Sequence, residues 1–174
     1  MKFSFNSLDD LRRLYRNQLE ELHASETQIA GALPLMVDAA TDRTLKQVLE
    51  NHLQDTKEHV WRLQQILSKG ITPVDPTKCK ALSAILAEGQ SVIRLSADEA
   101  LRDACVIGAA RKVEHYEIAF YGTVSLYAQL LAEHSQAHLL RQTLAEEKQA
   151  EAILAGLAGS NSGLTADGIT GKVA

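Results

Sequence analysis

The chain has 174 residues, 45% of them hydrophobic, only 5% aromatic and only 3 of them proline, so a single domain with one sizeable core, rich in helix, is the expectation. A formal net charge of -4 excludes the basic field that nucleic-acid binding needs, and two isolated cysteines, Cys79 and Cys105, are too few for a disulfide framework or a thiolate zinc site. The opening segment MKFSFNSLDD lacks the apolar core of a signal peptide and no apolar run approaches a membrane span, so a cytoplasmic protein without nucleic-acid or membrane partners is expected.

In chain order, Ser7 can cap a first helix that opens at Leu8 and runs to about Ala40, with Pro34 expected to kink it. Thr41 and Asp42 offer caps for a second helix reaching about Lys69, where Gly70, Pro73 and Pro76 break the pattern. The connector that follows is helical by composition from about Lys78 to Leu95, with Leu82, Ile85, Leu86 and Ile93 as a modest apolar face. Ser96 followed by Glu99 reads as a capping box that opens a third long helix, ending near Ala132. A fourth covers roughly Ser135 to Leu157, leaving residues 159–174, rich in Gly, Ser and Thr, as an expected mobile tail beyond a bundle of residues 1–158. Two hairpins of helices joined by one long crossover is the ferritin arrangement of a four-helix bundle, in an all-α chain. A helix of about 30 residues spans ~45 Å, which the crossover helix and its extended flanks can cover.

Charged residues interrupt the apolar stripes of these helices. The first stripe, Leu8, Leu11, Tyr15, Leu19, Leu22, Glu26, Ile29 and Leu33, is broken by Glu26. The second, Leu45, Val48, His52, Asp55 or Thr56, His59, Leu63 and Ile66, is broken at three positions. The third carries Glu114 and Glu117 one turn apart between Ala110 and Tyr121. The fourth carries Glu147 between Thr143 and Ala150, while Glu146 is expected to face water. Counted from the hairpin turns, Glu26 and Asp55 share a level, as do Glu117 and Glu147, all ~22 Å from a turn and so near the middle of the bundle.

Buried carboxylates at one level repel one another, and each costs several kcal/mol to desolvate unless it is protonated, paired or bound to metal. Arg111 is the one obvious basic candidate near the stripes, which makes metal the economical expectation. A carboxylate-rich site with one or two imidazoles suits iron first and manganese second. The expected ligands are Glu26, His52, Asp55, Glu114, Glu117 and Glu147, with His59 and Glu151 one turn away as ligands or as groups that orient them. Tyr121 is read as core packing, and His115 and Glu20 fall off the stripe.

The segment KVEHYEIA from Lys112 to Ala119, followed by Tyr121, Gly122 and Thr123, resembles the YciE/YciF-type ferritin-like proteins of bacterial stress response. The resemblance covers roughly residues 8–158 and includes Leu14-Tyr15 with Glu20, Ala32-Leu33-Pro34, HLQDT from His52, Cys79 with Glu88-Gly89, and TLAEEK from Thr143. It implies a bundle with a dinuclear metal site and a homodimer. Ferritin-like sites usually place Glu-x-x-His on two helices, whereas this chain has His52-x-x-Asp55 on its second helix and no histidine near Glu147, an acid-rich and imidazole-poor variant. The functional expectation is a protein with two bound metal ions acting in stress through oxygen or peroxide chemistry. The alternative is a structural or interaction protein in which metal only stabilises the fold.

Overall fold

The computed structural model describes residues 8–67, 79–96 and 98–160, which form five helices: α1 Leu8–Ala39, α2 Arg43–Leu67, α3 Lys80–Leu95, α4 Glu99–Leu130 and α5 His134–Ser160. α1 packs on α2 and α4, and α5 packs on α4 and α2, which closes a four-helix bundle, while α3 lies across α4 and α1. No helix among the described residues is long and apolar enough to cross a membrane.

The stripe of α1 is regular: Tyr15, Leu19, Leu22, Glu26, Ile29, Leu33, Met36 and Ala40 are buried at alternating steps of four and three. Pro34 stands on the exposed side and α1 continues through it to Ala39, so the last turns remain helical. A proline there removes one backbone bond on the solvent face only. α2 starts behind Asp42, whose Oδ1 accepts from the Leu45 amide at 2.8 Å.

Residue Asp103 fixes the topology. Its carboxylate, buried near the start of α4, accepts from the Thr41 amide and hydroxyl at 2.6 Å each and from the Asp42 amide at 2.8 Å. The α1/α2 turn and the beginning of α4 therefore meet at one end of the bundle. At the other end Tyr15 donates to Gln136 of early α5 at 2.7 Å. The connection from α2 to α4 thus travels the full length of the bundle, as the crossover length predicts.

The start of α4 differs from the sequence expectation. Asp98, not Ser96, is its N-cap, accepting from the Leu101 amide at 3.0 Å. Ser96 instead closes α3, donating to the Val92 carbonyl at 2.9 Å with Cys105 Sγ 3.2 Å away. α3 sits close on α4: a Cβ at Gly89 would lie 2.9 Å from that of Ala109, so the absent side chain sets the approach. α4 ends in a Schellman turn, with Glu133 N–H on Ala128 O at 2.9 Å and Ala132 N–H on Gln129 O at 3.0 Å. Ala132 occupies the left-handed position at φ 58°. α5 runs to Ser160, three residues beyond the expected helix end at Leu157. The break at Gly70, Pro73 and Pro76, the Ser7 cap and the tail from 161 to 174 lie outside the described residues.

The apolar core is in two blocks. One, with Ile29, Leu33, Leu45, Leu49, Leu82 and Val106, lies toward the α1/α2 turn under α3. The other, with Tyr15, Leu22, Leu63, Val124, Leu131 and Leu140, lies toward the α4/α5 turn. Between them runs a belt of buried polar residues.

Candidate metal centre

That belt draws on all four long helices: Glu26 from α1, His52 and His59 from α2, Glu114 and Glu117 from α4, and Glu147 from α5, each no more than 6% exposed. Their ligand-type atoms fall into two overlapping groups, His52, Glu114, Glu117 and Glu147 in one and Glu26, His59 and Glu147 in the other, with all atoms of a group within 4.8 Å of one another. Glu147 belongs to both.

Asp55 and Glu151 stand outside both groups. Asp55 is exposed, and Thr56 fills the inward position, donating its hydroxyl to the His52 carbonyl at 2.9 Å. At 100° per residue, Asp55 is displaced by roughly 80° from the line through Leu45, Leu49, His52, Thr56 and Leu63, too far to enter the core. Glu151 pairs with Arg111, whose Nε and Nη2 donate at 2.8 and 2.6 Å, and has the His115 ring 3.3 Å away. Arg111 is therefore engaged at the rim and is not the partner of the buried acids. Nor is Arg62, which sits at the edge of the α2 stripe and donates to both carboxylate oxygens of the half-buried Glu146 and to Thr143. Glu146, expected to face water, is turned instead onto Arg62 and onto His59 Nε2, 2.9 Å away.

The imidazole of His59 thus has two distinct sides. Nε2 meets Glu146, itself clamped by Arg62, while Nδ1 faces the belt, 2.8 Å from Glu147 and 3.4 Å from Glu26. Holding one ring nitrogen on a carboxylate fixes the ring and leaves the other available, the usual situation of a metal-ligating histidine. Tyr121 is buried, as packing requires, and its hydroxyl also donates to Glu26 at 2.5 Å. His52 Nε2 lies 3.1 Å from Glu114.

Burial dominates the electrostatics. Burial, then the charges of Glu26, Glu147 and Glu114, pushes Glu117 well above the usual carboxylate range. Burial and the neighbouring Glu147 do the same to Glu114, and burial raises Glu26 against the opposing pull of His59. Burial also pushes Glu147 up, but the adjacent His59 outweighs it and holds Glu147 below its ordinary value. For His59, burial pulls down, yet Glu147 and Glu26 together lift it to about 11. Burial lowers His52. The resting belt is therefore a His59–Glu147 ion pair surrounded by carboxyl groups that favour their protonated form.

The polar atoms here are incompletely satisfied. Glu26 Oε2, Glu114 Oε2, both oxygens of Glu117 and of Glu147, His52 Nε2 and His59 Nδ1 are buried without a hydrogen-bond partner, because the close approaches of the two imidazoles lack the required alignment. Leaving aside the atoms that the His59–Glu147 pair and the His52–Glu114 approach engage, the oxygens of Glu26, Glu114 and Glu117 cost about 1–3 kcal/mol each, a sizeable share of the net stability of a domain. Oxygen donors in excess, two imidazole nitrogens and no thiolate form a donor set that fits hard to borderline transition-metal ions.

Residues 10–166 match the family described as "Domain of unknown function (DUF892)". The chain belongs to this family. DUF892 relatives include Protein YciF of Escherichia coli K12, 33% identical over 156 residues, which cover 89% of this chain and 94% of YciF. The solved structure of the E. coli stress protein YciF superposes with a TM-score of 0.83 at 31% identity, covering 92% of this chain and all of YciF. YcfI of Rhodopseudomonas palustris, for which a structural role has been suggested, matches with a TM-score of 0.79 at 35% identity over 88% of this chain and 97% of YcfI. A Xanthomonas campestris protein at 19% identity and TM-score 0.69 shares the fold.

Proposed function

We propose that the belt holds two transition-metal ions, iron first and manganese second, in a protein of bacterial stress response. The observation that carries this reading is Glu147, shared by two buried ligand groups drawn from four helices. Glu26 and His59 would hold one ion, His52, Glu114 and Glu117 the other, and Glu147 would bridge them. When bound, such ions supply one-electron redox chemistry and Lewis acidity, with dioxygen or a peroxide as the class of co-reactant. The surrounding residues have defined tasks. Arg62 and Glu146 orient the His59 ring, Tyr121 holds Glu26 through one oxygen and leaves the second unbonded, and the two apolar blocks keep bulk water out. Resemblance to the family leads us to expect a homodimer, which sedimentation would test.

The experiment is metal analysis after anaerobic reconstitution with ferrous or manganous ion. Two ions per chain are expected in the wild type, one in Glu26→Gln and none in Glu147→Ala. A wild type that retains no metal, or a Glu147→Ala variant that still holds two ions, refutes the reading. Redox function needs its own measurement: the ferrous protein should consume dioxygen or peroxide faster than free metal.

A second reading is supported by the His59–Glu147 pair and by the structural role suggested for YcfI: a structural protein whose belt is balanced by its own ion pair and retained protons. In that case chelation would lower the melting temperature at most, and no redox reaction would accompany loading.

A further inference from the structure

A centre this deeply buried needs a route for the ion. Glu26, Glu117 and Glu147 are 0% exposed and Glu114 and His59 1%, whereas His52 is 6% exposed. The apolar blocks close the belt toward both ends of the bundle, where a hydrated cation would have to shed its water with no replacement. The α2–α5 side is the most sparsely packed of the four sides of the bundle. There a groove of about 270 Å3 is lined by Asn51, His52, Asp55, Glu146, Gln149 and Ile153 among others. Two lining side chains reach the belt: Glu146, which is held on His59 and Arg62, and His52, whose Nε2, buried without a hydrogen-bond partner, lies 3.1 Å from Glu114.

We propose that the α2–α5 groove is the port through which a divalent cation reaches the core, with Asp55 drawing it in and His52 passing it to Glu114. The inference rests on the metal-centre reading and adds the path. The polar lining suits it: two carboxylates and two side-chain amides supply oxygens that can replace hydration water one at a time, as a hard cation requires. Glu146 is tied to Arg62 and His59, so Asp55 is the lining carboxylate that stands exposed at the surface. An anionic cleft with low-dielectric walls concentrates cations and raises their arrival rate without altering the final affinity. It also gives Asp55 a role that its exposure permits, where direct ligation from the core is out of reach.

The test uses the full-length metal-free protein and Co2+ alone, whose ligand-field absorption reports loading in a stopped-flow mixer. Ile153, exposed at 43%, accepts a larger side chain without disturbing the core. Ile153→Trp should fill the groove and slow both loading and chelator-driven release about tenfold, with final stoichiometry unchanged. Asp55→Asn should slow loading about threefold at low ionic strength, a difference that disappears in high salt. Leu126→Trp, at a 50% exposed site on α4, serves as the control and should load at the wild-type rate. The port is overturned if Ile153→Trp and Asp55→Asn load as fast as wild type, or if Leu126→Trp slows loading equally. Loss of stoichiometry in Asp55→Asn would also overturn it, by making Asp55 a ligand. A wild type that takes up no Co2+ removes the metal centre itself, an outcome distinct from normal loading with unaltered variant rates.

Discussion

Filling the belt with divalent cations should expel protons, and their number follows from the resting charge state. Glu114 and Glu117 are pushed well above the usual carboxylate range by burial and by each other's neighbours, and His59 is held as a cation with its value near 11. Glu147 is already ionised, being held below its ordinary value by His59. A metal ion binds only carboxylate and neutral imidazole. At neutral pH each of Glu114, Glu117 and His59 must therefore release one proton, at least three per loaded centre since burial raises Glu26 as well, with His59 keeping the proton on Nε2 that faces Glu146. Three linked protons make the apparent affinity change about a thousandfold per pH unit, or roughly 4 kcal/mol. Calorimetric titration with Mn2+ in two buffers of different ionisation enthalpy measures the count directly. Glu117→Gln should reduce it by one. A release below one proton per chain would mean that the acids are ionised before the metal arrives, and would refute this account of the belt.

Metal-free protein should lose stability as the pH rises above about 7. The raised values of Glu114 and Glu117 give a contribution fully present below the ordinary carboxylate range and lost as pH climbs through their folded values, at about 1.4 kcal/mol per retained proton per pH unit. His59 adds a loss of the same sign between about 6.5 and 11, whereas Glu146 and Glu147, held low, withdraw their contribution only on the acid side. Below about pH 6.5 the lowered His52 and His23 act in the opposite sense, so the decisive range is about pH 7 to 9, where urea midpoints in chelator should fall and a flat or rising curve would contradict the charge assignment. Asp103→Ala removes the acceptor of three hydrogen bonds at the α1/α2 turn and should cost about 2–4 kcal/mol, read from denaturant unfolding. A cost under about 0.5 kcal/mol would show that this contact does not fasten the turn. Ala132→Gly should stabilise by about 0.5–1 kcal/mol because the Schellman position has positive φ, and an unchanged melting temperature would argue against strain there.

Much of this molecule is written in its helical periodicity. Glu26, Glu114, Glu117 and Glu147 interrupt stripes whose other members are apolar, so their burial could be read from spacing alone. Asp55 could not be separated from Thr56 that way, because steps of three and of four both continue from His52. Only the accumulated angle over five members of the stripe decides between them. The parts played by Arg62 and Glu146 were hidden for a related reason. Each stands beside a buried residue, Leu63 or Glu147, at the edge of its face, and edge positions turn inward only when a partner helix offers a mate. Asp103 depends on a turn some 60 positions earlier, which no local pattern contains. The start of α4 carries two adequate cap signals within three residues, and the choice of Asp98 reflects the alternative use found for Ser96 against Val92 and Cys105.

The belt also divides the core, and that has a consequence for how the bundle opens. The two apolar blocks share no buried member, so they communicate through the long helices that thread both of them. In the metal-free chain each block should behave as its own cooperative unit, with amide exchange fastest in the helical turns around Glu26, Thr56, Glu117 and Glu147 that lie between them. An ion held from four helices at once would fuse those units. Exchange across the middle would then slow to the rate of global unfolding, and the two blocks would open only together.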